Sequence, residues 1–112
     1  TDRFSRRAVL TLAAATLAAA APIHAAEWTP TKTVRIVVPI VGSTNDLLAR
    51  LVAPELQKVF GQPVIVENKG GAGGSIGASD VARADPDGHT LLVGFNGPLA
   101  INATLYQKLP YD

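Results

Sequence analysis

Three short apolar runs alternate with stretches long enough to form helices, and this alternation constrains the fold more than any other feature of the sequence. The runs are VRIVV at 34–38, PVIVE at 63–67 and TLLVG at 90–94. Each is rich in residues typical of buried strands and is followed within two residues by Pro or Asn. Strands separated by helices pair in parallel through right-handed crossovers. The sequence therefore predicts an α/β fold in the order β-α-β-α-β, with a parallel sheet.

The segment 46–60 predicts the first helix, because N-capping residues precede it and Gly61 follows it as a C-terminal stop. We expect Pro54 to kink or break this helix, since proline cannot donate the backbone hydrogen bond of a helix interior. The large apolar side chains predict the face that packs on the sheet. They are Leu47, Leu48, Leu51, Val52, Leu56, Val59 and Phe60.

Two further helices are predicted after the second and third strands. The first covers 75–84 and is followed by the turn DPDG at 85–88. The second begins after a turn at 96–98 and extends to about Leu109.

The N-terminal stretch has the pattern of a secretory signal peptide. Arg3, Arg6 and Arg7 precede an uncharged run at 10–21, which is too short to span a bilayer, and small residues follow at Ala25 and Ala26. The sequence predicts a signal peptide at 1–25, of twin-arginine or general secretory type. We therefore expect residues 26–112 to be exported from the bacterial cytoplasm.

Composition excludes several classes of function. Residues 26–112 contain seven Lys or Arg against eight Asp or Glu, so there is no basic surface for nucleic acid. The chain has no Cys, and His89 is its one His outside the leader. A Ser-His-Asp triad or a metal cluster cannot be built from these residues. We expect neither cofactor, metal nor catalytic residues.

The three strands of a parallel sheet end at the same edge, where open α/β sheets bind ligands. The segments that follow them are PIVGSTN, NKGGAGG and FNGP. Two lead into helix N-termini, whose unpaired amides attract anions. The glycine-rich segment matches neither a Walker A loop nor a dinucleotide fingerprint. It predicts either a site for a small carboxylate or a tight turn with no further role.

Two long motifs, GQPVIVENKGGAGGSIGA and PDGHTLLVG, carry a resemblance to a known family. With the flanking residues 31–112, they resemble the substrate-binding proteins of tripartite tricarboxylate transporters, the Bug family of periplasmic receptors. The resemblance implies a periplasmic receptor with a flytrap fold of two α/β domains. Residues 26–112 would form the N-terminal part of the first solute-binding domain, without the second domain. It also implies a small carboxylate as ligand, and membrane permease subunits as partners of a monomeric receptor.

The resemblance also implies the ligand-binding residues, which lie in the three segments after the strands and at the start of the first helix. They are Gly42, Ser43, Thr44, Asp46, Gly71, Ala72, Gly73, Asn96 and Gly97. The first segment departs from the family pattern. It is one residue shorter, with Ile40 in place of Phe and Gly42 in place of a Gly pair.

Two other functions use the same fold. A ligand-sensing receptor would present its closed form to a signalling partner instead of a permease. An exported α/β enzyme would require catalytic residues outside these 112.

Overall fold

The computed structural model describes residues 27–112. The predicted signal peptide lies outside the described residues. The strands are β1 (Val34–Val38), β2 (Val64–Asn68) and β3 (Thr90–Leu92), and the helices are α1 (Thr44–Phe60), α2 (Ser75–Arg83) and α3 (Asn102–Leu105). A 3-10 turn at Ala72–Gly74 leads into α2, and a π-helical turn at Gly97–Ile101 leads into α3.

The three strands form one parallel sheet in the order β2-β1-β3. Val34 pairs with Val64 at one end of β1, and Val38 pairs with Asn68 at the other. The same central strand pairs with β3, from Arg35 opposite Thr90 onward. The predicted α/β class and the parallel sheet are confirmed.

The core lies on both sides of β1, because its side chains alternate between the two faces of the sheet. Val34, Ile36 and Val38 are buried against α1 in a cluster that also contains Val64. Val37 is fully buried and points to the opposite face. There α2 covers the sheet, so the domain has a helix on each face.

The buried face of α1 differs from the predicted one. The helix packs on the sheet through Ala49 and Ala53, with Leu56 and Phe60 at the edge of the core. Of the predicted apolar residues, five point outward and are 47–79% exposed: Leu47, Leu48, Leu51, Val52 and Val59. Alanine lets the helix axis approach β1 closely, and this close packing decides which face is buried.

Two further predictions about the helices are wrong. The break that is one expected outcome at Pro54 does not occur: α1 continues through the proline, because the residues that hold it on the sheet lie on both sides of Pro54. The last helix ends at Leu105 instead of Leu109, and Tyr106 has an extended backbone.

The predicted helix stop at Gly61 is confirmed. Gly61 has a left-handed backbone and donates its N–H to the Gln57 carbonyl. Within residues 27–112, no helix has the length and apolar character needed to cross a membrane.

We expect the exchange of Ile36 and of Leu51 for Ala to have very different effects on stability. Ile36 is 3% exposed, whereas Leu51 is 62% exposed. Ile36→Ala should lower the free energy of unfolding by about 2–5 kcal/mol, and Leu51→Ala by less than about 1 kcal/mol. Urea denaturation of the purified protein measures both. Equal losses would contradict the observed orientation of α1.

Candidate functional site

Three loops lie at the carboxyl edge of the sheet, one after each strand. We define them as loop 1 (39–43), loop 2 (69–74) and loop 3 (93–97). Each continues the backbone of its strand: the Lys69 amide donates to the Val38 carbonyl, and the Val93 amide donates to the Val37 carbonyl. Parallel pairing to the shared strand β1 therefore brings the loops to one edge.

Direct contacts join the three loops to one another. Asn45, in the first turn of α1, donates its side-chain amide to the Gly94 carbonyl of loop 3 at 3.2 Å. A Cβ atom on Gly70 would lie 3.2 Å from the Pro39 carbonyl oxygen, and one on Gly97 would lie 3.0 Å from the Gly73 carbonyl oxygen. These distances show that the loops pack against each other, as the strand order predicts.

Loop 2 has an unusual backbone, and this explains its glycines. Four consecutive residues have positive φ: Gly71 at 121°, Ala72 at 48°, Gly73 at 62° and Gly74 at 90°. Only glycine adopts such angles without steric cost, so three of the four positions favour it. Ala72 holds the same conformation with a Cβ atom, at a cost of about 1–2 kcal/mol.

A buried side chain holds loop 2 in this conformation. Asn102, at the start of α3, is 3% exposed. Its side-chain amide nitrogen donates to the Gly73 carbonyl at 3.0 Å and to the Ser75 hydroxyl at 2.8 Å. The segment after loop 3 therefore fixes the carbonyl of a residue in loop 2.

Loop 1 is closed by two side chains at the start of α1. The Ser43 hydroxyl accepts the Asp46 amide and donates to the Ile40 carbonyl. The Asp46 carboxylate reaches back and accepts the Gly42 amide at 2.9 Å. Loop 1 thus folds around its own capping residues.

This arrangement leaves the first amides of α1 available. Thr44 and Asn45 are at helix positions that have no intrahelical acceptor, and no hydrogen bond to their amides occurs among residues 27–112. Their N–H groups are at the positive end of the helix dipole. They are suited to bind a small anion.

The structure brings the nine predicted site residues to the edge formed by the three loops, but they differ in exposure. Six of them are exposed: Gly42, Thr44, Gly71, Ala72, Gly73 and Asn96. Ser43 and Gly97 are partly buried. Asp46 is the one buried member, and both of its carboxylate oxygens accept hydrogen bonds from the protein.

Sequence reasoning missed four residues that hold the loops in place. Asn45, Arg50, Asn68 and Asn102 act through hydrogen bonds to residues of other elements. Asn68 carried a weak signal, since it directly follows an apolar strand. The others depend on contacts that no local pattern encodes.

Hydrogen bonds lower the pKa of Asp46 below its ordinary value. The largest contribution comes from the Asn68 side chain, followed by the Gly42 amide, while Arg50 adds an attractive charge. The carboxylate is therefore ionised at neutral pH, and its charge is balanced from within the protein. Among residues 27–112, no three His, Cys, Asp or Glu side chains are grouped so that they could hold a metal ion.

Comparison with known proteins shows the family of this chain. Residues 48–112 match the model of the tripartite tricarboxylate transporter family receptor. The chain belongs to this family. The match includes β2, β3 and loops 2 and 3, and it begins within α1.

Curated relatives of the receptor family agree with this. A UPF0065 protein from the ttuE-ttuC' intergenic region of Agrobacterium vitis is 52% identical over 83 residues, which are 73% of this chain and 24% of that protein. Protein BugT of Bordetella pertussis is 40% identical over 106 residues, or 93% of this chain and 32% of BugT. The chain thus spans between a quarter and a third of these relatives, and the resemblance to the Bug family is confirmed.

Solved structures of similar receptors have the same fold. A Rhodopseudomonas palustris protein solved with adipate is 42% identical with a TM-score of 0.69, over 74% of this chain and 28% of that one. MatC from Rhodopseudomonas palustris with bound malate is 47% identical with a TM-score of 0.67, over 73% of this chain and 28% of MatC.

We expect alanine to be tolerated differently at two glycines of the site. At Gly42, where φ is 70°, a Cβ atom would meet nothing within 4 Å. Gly42→Ala should cost about 1–2 kcal/mol of stability, from the backbone alone. At Gly74 a Cβ atom would lie 2.8 Å from the Phe95 ring, so Gly74→Ala should cost about 1–3 kcal/mol more. Urea denaturation of both variants tests this, and equal costs would refute the close packing of loops 2 and 3.

Acid should destabilise the fold through its paired carboxylates. Lys32 and the His89 amide lower the pKa of Asp87, and the pKa values of Asp46 and Asp80 are lowered as well. A lowered folded pKa contributes stability above the unfolded pKa of about 3.9. That stability is lost as pH falls through the folded pKa.

The free energy of unfolding should therefore be constant near neutral pH and decrease below about pH 4. Urea titrations at pH 7, 5, 4 and 3 measure this decrease. Asp87→Asn removes one of the paired carboxylates and should make the decrease shallower. A curve of unchanged shape in this variant would exclude Asp87 as a contributor.

Proposed function

We propose that the protein is the substrate-binding component of a tripartite tricarboxylate-type transporter and that it binds a small carboxylate without covalent chemistry. Family membership supports the receptor role. Two of its solved neighbours hold adipate and malate, which are both small dicarboxylates. A small dicarboxylate is therefore the class of ligand that we propose for this protein.

The observation that carries the proposal is the position of the free amides of Thr44 and Asn45. They lie at the positive end of a 17-residue helix, and the Asn45 side chain contacts Gly94 of loop 3. A carboxylate that accepts two backbone N–H groups forms charge-assisted hydrogen bonds, which are stronger than neutral ones. No arginine is needed for such a site, and the helix dipole adds a further attraction.

The hydrogen bond between Gly42 and Asp46 divides the proposed ligand-binding residues into two groups. Seven of them would contact the ligand or form the surface around it: Ser43, Thr44, Gly71, Ala72, Gly73, Asn96 and Gly97. Gly42 and Asp46 bond to each other, so their part in binding is to hold loop 1. Loop 1 is short, so it offers few amides, and α1 itself supplies the strongest anion contact.

The proposed ligand lies in a cleft of which residues 27–112 form one wall. The chain spans 28% of its solved neighbours, and a second lobe would form the other wall. Closure of two lobes on a ligand requires that the ligand contact both of them. This lobe would contact the ligand through the exposed residues of loops 1, 2 and 3.

The leader pattern and the receptor family together support a periplasmic location. The protein would be exported by the twin-arginine or the general secretory route. It would deliver its ligand to the membrane permease subunits and carry out no catalysis. We propose that it acts as a monomer.

Titration of the ¹⁵N-labelled protein with malate and adipate tests the proposal. Each acid should shift the amide resonances of Thr44 and Asn45 and of exposed residues in loops 2 and 3. One lobe alone should bind with a dissociation constant of about 1 mM, which corresponds to about −4 kcal/mol.

The matched control is adipamide, which has the chain length of adipate but no charge. It should leave the Thr44 and Asn45 resonances in place, because it offers no anion to the helix terminus. If neither acid moves these resonances, or if adipamide moves them equally, carboxylate binding at α1 is refuted.

A further inference from the structure

We propose that Asp46 is a positioning residue: it holds loop 1 and the start of α1 against β2 so that the amides of Thr44 and Asn45 face the ligand. This inference rests on the carboxylate site proposed above and assigns a role within it. Family resemblance places Asp46 among the residues that contact the ligand, and the structure points to a different role.

The orientation of the Asp46 side chain supports this role. The side chain is only 8% exposed, and each of its oxygens accepts hydrogen bonds from the protein. One oxygen accepts the Gly42 amide at 2.9 Å. The other accepts the Asn68 amide at 2.9 Å and the Arg50 guanidinium at 3.1 Å. A carboxylate with three such donors has little capacity left for a ligand.

The three donors come from different parts of the fold, and this makes Asp46 a connection between them. Gly42 belongs to loop 1, Arg50 lies one turn further along α1, and Asn68 is the last residue of β2. The Asp46 carboxylate therefore ties the loop before the helix to the end of an adjacent strand. Arg50 also donates to the Asn68 side-chain oxygen at 2.6 Å, which completes a closed set of three side chains.

The Gly42 hydrogen bond decides which amides remain for a ligand. In loop 1 the Gly42 amide is directed inward to Asp46, and the Ser43 hydroxyl accepts the Asp46 amide. Thr44 and Asn45 lie between these two hydrogen bonds, so their backbone direction is set on both sides. Without the carboxylate, the Gly42 amide would lose its acceptor and loop 1 could turn.

Because Asp46 is charged, removing its charge should change the ligand affinity in opposite directions for a contact role and for a positioning role. A carboxylate that lay against a carboxylate of the ligand would repel it, and its removal would strengthen binding. A carboxylate that positions the amides would weaken binding when removed. Asp46→Asn keeps the shape of the side chain and can accept through only one oxygen, so it separates the two roles.

The test compares the wild type with Asp46→Asn by titration with adipate and malate. We expect the variant to bind both acids at least about 10-fold more weakly. Adipate has no hydroxyl or ammonium group that could donate to Asp46. An equal loss with adipate therefore cannot come from a direct hydrogen bond between Asp46 and the ligand.

Hydrogen exchange of the Gly42 amide gives a readout that does not depend on affinity. It should become faster in Asp46→Asn, and the Thr44 and Asn45 resonances of the free protein should move. Ile36→Val is the control for general loss of stability, because it lies in the core away from the loops. It should lower the unfolding midpoint and leave the affinity and the Gly42 exchange relative to its neighbours unchanged.

Each outcome has a separate meaning. If the wild type binds neither acid, the proposed function fails and this inference fails with it. If the wild type binds and Asp46→Asn binds equally well or more tightly, the positioning role alone is refuted. If only malate binding is weakened, Asp46 contacts the malate hydroxyl directly, and the positioning role is again refuted.

Discussion

Parallel pairing of β2 and β3 to the two sides of β1 is the constraint on which the rest of this structure depends. It requires that all three strands end at one edge, and it places both the start of α1 and the glycine-rich loop at that edge. Because β1 is buried on both faces, its position relative to α1 and α2 is fixed by packing. The sheet therefore fixes the position of the site, although the residues that would touch a ligand lie in loops and at the start of α1.

Backbone amides and buried polar side chains have different roles at the site. The amides are suited to bind an anion, but a loop amide has a defined direction only if its neighbours are held. Asp46 provides this between loop 1 and β2, and Asn102 provides it between loop 2 and α3. Both residues are buried, and a buried polar group that is left without a partner costs free energy.

The outward face of α1 carries large apolar side chains that are exposed among residues 27–112. Five large apolar side chains of this helix are 47–79% exposed: Leu47, Leu48, Leu51, Val52 and Val59. The chain spans about a quarter to a third of its curated relatives. The short residues Ala49 and Ala53, not the larger ones, make the contact with the sheet.

Periodicity and turn chemistry were enough to predict the strands, the first two helices and the parallel class, because these depend on neighbours in the sequence. The strand VRIVV, the stop at Gly61 and the start of α2 after the glycines follow from local rules. Three features did not follow from them. The face of α1 that is buried, the continuity of the helix through Pro54 and the early end of α3 depend on what each helix packs against.

The sequence by itself determined which segments would meet, since the order of strands and helices leaves one edge for the three loops. Only the tertiary structure decided what each side chain does there. Asp46 carries the same charge whether it faces a ligand or the protein. Its inward direction results from donors on loop 1, on α1 and on β2, the farthest of them 22 residues away in the sequence. Such a role depends on distances in space, which local sequence patterns do not contain.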